Sequence, residues 1–210
     1  MKASKHSCLF ACLAFLLTIL PAAAQIAPGV YHASETLDSG TRHYQLMVSD
    51  NYMIQTTYDS DPAHFIQTMG GFYDQKGDSL VIDLEFNSDF EKTGEKVHRV
   101  AYGFSDGKLF FNGNKARAYV QEPKVSQPLD GAWLFATRGP DTGQDRRGDE
   151  NPRKTLKFLM DGYFQWIAYH TEDMRFMGSG GGRYAAQDGA YIEAIRFFSR
   201  DHSRVGAELS

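Results

Sequence analysis

The sequence predicts an all-β protein made of two antiparallel units in tandem, and two observations predict it. First, residues 52–88 align without a gap on residues 163–199 at a constant offset of 111. Tyr52 falls on Tyr163, Tyr58 on Tyr169, Phe65 on Phe176, Gly70-Gly71 on Gly181-Gly182, Tyr73 on Tyr184, Phe86 on Phe197 and Ser88 on Ser199. Aromatics, paired glycines and turn residues fix strand packing and chain reversal, so segments sharing them share a fold. Second, the chain after Gln25 alternates apolar and polar residues, with turn residues at short intervals. That is the period of half-buried strands.

The first residues read as an export leader. Lys2 and Lys5 precede an apolar run, Leu9–Leu20, and Pro21-Ala22-Ala23-Ala24 presents the small residues that signal peptidase accepts, with cleavage after Ala24. The run is too short for a membrane span. Most of it follows Cys12, whereas a lipid-attachment cysteine ends such a run, so Cys12 reads as leader and not as an anchor. Both cysteines, Cys8 and Cys12, lie in this segment, leaving a mature chain without disulfide or thiol chemistry. The expected location is periplasmic or secreted. Removing Lys2 and Lys5 leaves 20 basic against 26 acidic side chains, a net charge of −6. That balance argues against nucleic acid, and no later stretch predicts a transmembrane segment.

In the first unit, residues 26–120, the expected strands are 29–34, 43–48, 52–58, 64–73, 79–86, 96–104, 108–112 and 116–120. Asp50-Asn51 and Asp106-Gly107 suit two-residue hairpins, because Asn, Asp and Gly tolerate positive φ. Residues 121–130, with Pro123 and Pro128, read as a linker. In the second unit, residues 131–210, strands are expected at 131–137, 155–160, 163–169, 174–184, 190–198 and 204–209, with Asp161-Gly162 as a tight turn. The polar segment 138–154 reads as a long loop. After Ser88 the first unit runs on to Val120, but after Ser199 the second has only 11 residues. The second unit is therefore expected to lack closing strands, and its open edge to promote self-association.

Strict alternation puts Leu80, Ile82, Leu84 and Phe86 on the core face, and Val81, Asp83, Glu85 and Asn87 on a solvated one. The equivalent inward set in the second unit is Tyr191, Glu193, Ile195 and Phe197, so a carboxylate stands where the first unit has Ile82. A buried carboxylate needs a polar partner: a tyrosine, an arginine, water or a ligand. Tyr163, Gln165, Ile167 and Tyr169 share one strand face, with Phe164 and Trp166 on the other.

The second unit opens with Gly131-Ala132-Trp133. It continues with Asp161-Gly162-Tyr163-Phe164-Gln165-Trp166, the glycine-rich Gly178–Tyr184, and Tyr191-Ile192-Glu193-Ala194-Ile195. In this order and spacing it resembles the lipocalin-like (calycin-type) domains of exported bacterial proteins, many of unknown function. The first unit fits more weakly. The resemblance implies two tandem antiparallel up-and-down barrels, the second incomplete, with an internal cavity for a ligand.

Other motifs carry no chemistry. Gly178–Gly182 lacks the spacing and the Lys of a phosphate loop and reads as a strand bend, or as room for an aromatic above it. Val81–Phe86 has one carboxylate too few for the glycosidase strand it resembles. The histidines show no metal-ligand spacing, and no nucleophile elbow is present, so neither metal nor cofactor is expected. The leading expectation is a non-catalytic binding protein. Its cavity residues would be Tyr163, Gln165, Tyr169, Tyr184, Tyr191 and Glu193, with Trp166 packing between the units or offering a stacking surface. The ligand would be a small apolar or amphipathic molecule or a carbohydrate. An interaction module without a cavity, and a hydrolase or isomerase using Glu193, are the alternatives.

Overall fold

Turn chemistry divides the chain into short antiparallel strands. A computed structural model of the protein describes residues 25–140, 142 and 146–210, so the segment read as an export leader lies outside the described residues. The first eight strands are β1 Gly29–Leu37, β2 Gly40–Val48, β3 Tyr52–Ser60, β4 His64–Lys76, β5 Ser79–Asn87, β6 Val97–Ser105, β7 Lys108–Phe111 and β8 Val120–Gln121. They form one antiparallel sheet in the order β7-β6-β5-β4-β3-β2-β1-β8. Leu109 and Tyr119 exchange both backbone hydrogen bonds, at 3.0 and 2.7 Å, and this bridge brings the two ends together into a nearly closed barrel. A single helical turn, Phe90–Thr93, ends at Gly94 in the left-handed region and was not legible in the alternation.

The remaining strands form a separate six-stranded antiparallel sheet. They are β9 Gly131–Leu134, β10 Arg153–Met160, β11 Tyr163–His170, β12 Arg175–Gln187, β13 Ala190–Phe198 and β14 Glu208–Leu209, in the order β14-β13-β12-β11-β10-β9. This sheet is open, not a second barrel, among the described residues. The strand expected at 204–209 shrinks to β14, preceded by a 3-10 turn at His202–Arg204. The strand expected at 116–120 shrinks to β8 and the Tyr119 bridge. Asp106-Gly107 and Asp161-Gly162 turn with positive φ at both residues, whereas Asp50-Asn51 turns without it.

The registers of the two sheets coincide. Val48 pairs with Met53, and Leu159 with Phe164. Tyr52 pairs with Phe72, and Tyr163 with Arg183. One bulge falls after Thr57 and the matching one after Ala168; a second falls after Gly70 and its match after Gly181. At this second bulge Gly70 faces Phe86 while Gly71 faces Leu84, so Glu85 is the extra residue. In the other sheet Arg196 is the extra residue.

The glycine pairs have a steric reason at these bulges. A Cβ on Gly70 would stand 2.7 Å from the Phe86 ring, and one on Gly181 2.5 Å from the Phe197 ring. A Cβ on Gly71 or Gly182 would stand 2.0 Å from the carbonyl oxygen of Asp83 or Ala194. Each pair thus lodges an aromatic ring above one glycine and the bulge against the next.

The barrel interior is filled by side chains, among them Tyr31, Leu46, Val48, Met53, Leu80, Ile82 and Tyr119. A second core lies outside the barrel, between its wall and the open sheet. Val30, Met47, Tyr52, Ile54 and Phe86 pack there on Leu156, Phe158, Tyr163, Ile167 and Tyr169. Two ring contacts there are reciprocal: Tyr58 meets Phe197 at 5.0 Å, and the corresponding pair, Tyr169 and Phe86, meets at 5.1 Å.

Candidate functional site

The residues expected to line one cavity are distributed over two faces of the open sheet. Tyr163, Gln165 and Tyr169 face the barrel, whereas Tyr184, Tyr191, Glu193 and Trp166 lie on the opposite side. The expectation of a single cavity is corrected accordingly. The reason is the side-chain alternation of β11 read against the cross-strand pairing of β12 and β13.

Gln165 is fully buried and its amide is saturated. Its Oε1 accepts from Thr56 Oγ1 at 2.9 Å, and its Nε2 donates to Thr68 Oγ1 and Ser179 Oγ, both at 3.0 Å. It locks the two sheets together. Trp166 does not sit between the units; it packs edge-on against Phe198 at 5.4 Å on the far face. Glu193 is inward and buried, as its position predicted, and its partners are the Lys157 ammonium and the Tyr191 hydroxyl. The adjoining groove, about 270 Å³, is shallow and lined by Leu129, Trp133, Lys157, Leu159 and Tyr191. Tyr184 donates to Asp130, and the linker residue Gln127 caps the end of the same strand through Tyr184 O and Ala186 N.

A cleft with convergent polar groups lies instead between barrel and sheet. It measures about 300 Å³ and is walled by Phe72, Leu134, Leu156, Phe158 and Met160. Its polar floor is Glu85. Oε2 of Glu85 accepts from Tyr52 Oη at 2.9 Å and from Tyr169 Oη at 2.8 Å, and Oε1 accepts from Lys154 Nζ at 3.1 Å. Phe72 stands edge-on to the Tyr52 ring at 5.0 Å.

Burial, reinforced by the Glu85 carboxylate, holds both phenols far above the usual tyrosine range. They are therefore fixed donors at neutral pH. Lys154 uses one of its three protons on Glu85. Neutral overall, the pair can accept a hydrogen bond at Oε1 and donate one from Nζ.

Of this cleft, sequence reasoning found only Tyr169. Alternation placed Glu85 outside the barrel, where it is, but read that face as solvated, whereas the second sheet covers it at Glu85. Gly70-Gly71 was the available signal for the flip of Phe86 into the same interface, since paired glycines inside a strand mark a bulge. A further recess of about 280 Å³ opens at the barrel mouth beside Gln55, Gln67, Met69 and Tyr119. Among the described residues no group of three or more His, Asp or Glu side chains is placed to hold a metal ion, and no helix is long and apolar enough to cross a membrane. Comparison of the chain with protein-family models, with curated proteins and with solved structures yields no match, so no family membership is shown.

Proposed function

We propose that the chain is an exported, non-catalytic binding protein that takes a small amphipathic molecule with a neutral hydrogen-bonding head into the cleft between its two sheets. On this reading the two units are lipocalin-like and descend from one duplicated ancestor. The coincident registers and bulges support that descent. The cleft carries the functional reading: five apolar walls converge on the Glu85–Lys154 pair held by two tyrosines. An apolar recess with a few fixed polar groups is the usual form of a small-molecule site. A hydroxyl head donates to Glu85 Oε1 and accepts from Lys154, while the tail lies along Leu134, Leu156 and Phe158.

The test uses hexanol, octanol and decanol on the mature chain, followed by NMR of the Leu156 methyl groups. Saturable shifts that vanish in Leu134→Arg are expected. Shifts that persist unchanged in that variant, or no saturation at all, sink the proposal.

A second reading has its own observation. Trp133, Leu134 and Phe135 are 53, 43 and 40 % exposed in succession on and beside β9, an edge strand of the open sheet. An apolar edge of this kind pairs readily with another chain. Sedimentation velocity separates the readings: concentration-dependent dimers abolished by Trp133→Lys support self-association, and a monomer at all concentrations rejects it.

A further inference from the structure

The offset of 111 carries the cleft onto a second pocket of about 200 Å³, lined by His32, His43, Tyr58, Glu122, Tyr163 and Arg196. Tyr163 stands for Tyr52, Tyr58 for Tyr169, and His43 for Lys154. Arg196 stands for Glu85, each being the extra residue of its bulge. Apolar walls give way to polar ones in the same exchange. His32 pairs with Gln45 where Leu134 pairs with Leu156, and Arg183 covers the Tyr163 ring at 4.0 Å where Phe72 covers Tyr52.

In the first pocket two phenols converge on one carboxylate oxygen. In the second, Tyr58 faces the Arg196 guanidinium, which cannot accept its proton, while the Tyr163 hydroxyl already meets Glu122 and Arg183. Arg196 is exposed and makes no hydrogen bond or ion pair among the described residues.

We propose that this pocket binds a carboxylate supplied by a ligand. The ligand carboxylate takes the place that Glu85 holds in the first pocket, accepts from Tyr58, and is clamped by Arg196. Guanidinium and carboxylate match as planar, doubly bonded partners. Burial pushes the Tyr58 hydroxyl up to about 12 despite the opposing pull of Arg196, which keeps it a donor at neutral pH. The pocket's own carboxylate, Glu122, is taken up by His32 Nδ1 at 3.1 Å and by the Tyr163 hydroxyl, and Arg183 adds a second cation at the Tyr163 end.

The experiment titrates the mature chain with benzoate, with benzyl alcohol as its neutral counterpart and inorganic phosphate as a competing anion. Calorimetry and the Nε–H resonance of Arg196 supply the readouts. Saturable benzoate binding is expected, weakened at least about tenfold in Arg196→Gln. It should be abolished in Arg196→Glu, which supplies the carboxylate internally and should leave the chain folded at an equal or higher melting temperature, because Arg196 is an exposed bulge residue. Octanol, which probes the other cleft, should not displace benzoate, so the two proposals fail separately. The assignment is overturned by the absence of a saturable Arg196 shift, by benzoate binding undiminished in Arg196→Glu, or by phosphate or benzyl alcohol binding as tightly as benzoate.

Discussion

The ring of Phe65 lies flat against that of Phe176, centroids 6.0 Å apart and planes within 5°. These two residues hold equal positions in the two sheets, and such residues touch when a two-fold rotation relates their surroundings and passes near both. The reciprocal pairs Tyr58–Phe197 and Tyr169–Phe86 obey the same rule. The interface is thus isologous, as between the subunits of a symmetric dimer. Phe86 and Phe197 are its matched anchors, each fully buried over a glycine. Phe86→Ala and Phe197→Ala should each cost about 3–5 kcal/mol of stability, because both leave a void that glycine backbone cannot fill. Urea unfolding measures this. A cost under about 1 kcal/mol for either would show that its ring is not holding the sheets together.

Gln165 occupies the interface position that Ile54 holds in the other sheet, and its role is structural. Gln165→Met should cost only about 1–2 kcal/mol, since Thr56 keeps Thr68 as partner, and Ser179 keeps the Trp166 carbonyl at 2.7 Å. Gln165→Glu buries a charge with no cation beside it and should cost about 3 kcal/mol or more at neutral pH. Equal effects of the two substitutions in chemical denaturation would contradict this account.

Much of the fold was legible because hydrophobic period and turn chemistry are local. The inward placement of Leu80, Ile82 and Leu84 followed from alternation, and that of Glu193 from comparing the two segments. The exception is instructive. Phe86 is buried as expected, yet it packs between the sheets and not inside the barrel, because the bulge at Glu85 reverses the face of the strand after Leu84. The cleft was illegible for another reason: its walls come from β3 to β5 on one side and β9 to β11 on the other. No linear pattern encodes the docking of two sheets. Tyr163 and Tyr184 could be matched to Tyr52 and Tyr73, but not assigned to opposite faces of the open sheet.

The Glu85 cluster makes a prediction about tyrosine ionisation. Tyr52 and Tyr169 are raised first by desolvation, with the Glu85 charge adding to it. A raised folded pKa means that the unfolded chain loses its proton first. Stability present below about pH 10 is therefore lost as pH rises toward the folded values. Glu85→Gln should lower both phenol pKa values while leaving them above 10, because burial remains. It should also cost about 1.5–3 kcal/mol through the lost charged hydrogen bonds. Absorbance titration near 295 nm counts the tyrosines that ionise before unfolding. Coincident curves for the variant and the parent would remove Glu85 from the cluster.

Acid acts through the opposite pocket. His32 and His43 both have pKa values lowered by burial. For His43 the neighbouring His32 and Arg196 add repulsion, while for His32 hydrogen bonds to Gln45 and Glu122 oppose the shift. In the window between the lowered folded values and about 6.5, the unfolded chain binds more protons than the native one. Stability that is complete above about pH 6.5 is therefore lost as pH falls through the folded values. Asp59 has the same sign but a lower window, because the Arg42 guanidinium at 2.8 Å holds its carboxyl below the ordinary range. The expected result is a fall in unfolding free energy between about pH 6.5 and 5.5, ahead of any carboxylate protonation, and a flat profile over that window in His32→Gln/His43→Gln. Urea midpoints across the pH series read it directly. A double variant retaining the full slope would assign the acid sensitivity to other groups and leave both imidazoles neutral or charged alike in the folded and unfolded chain.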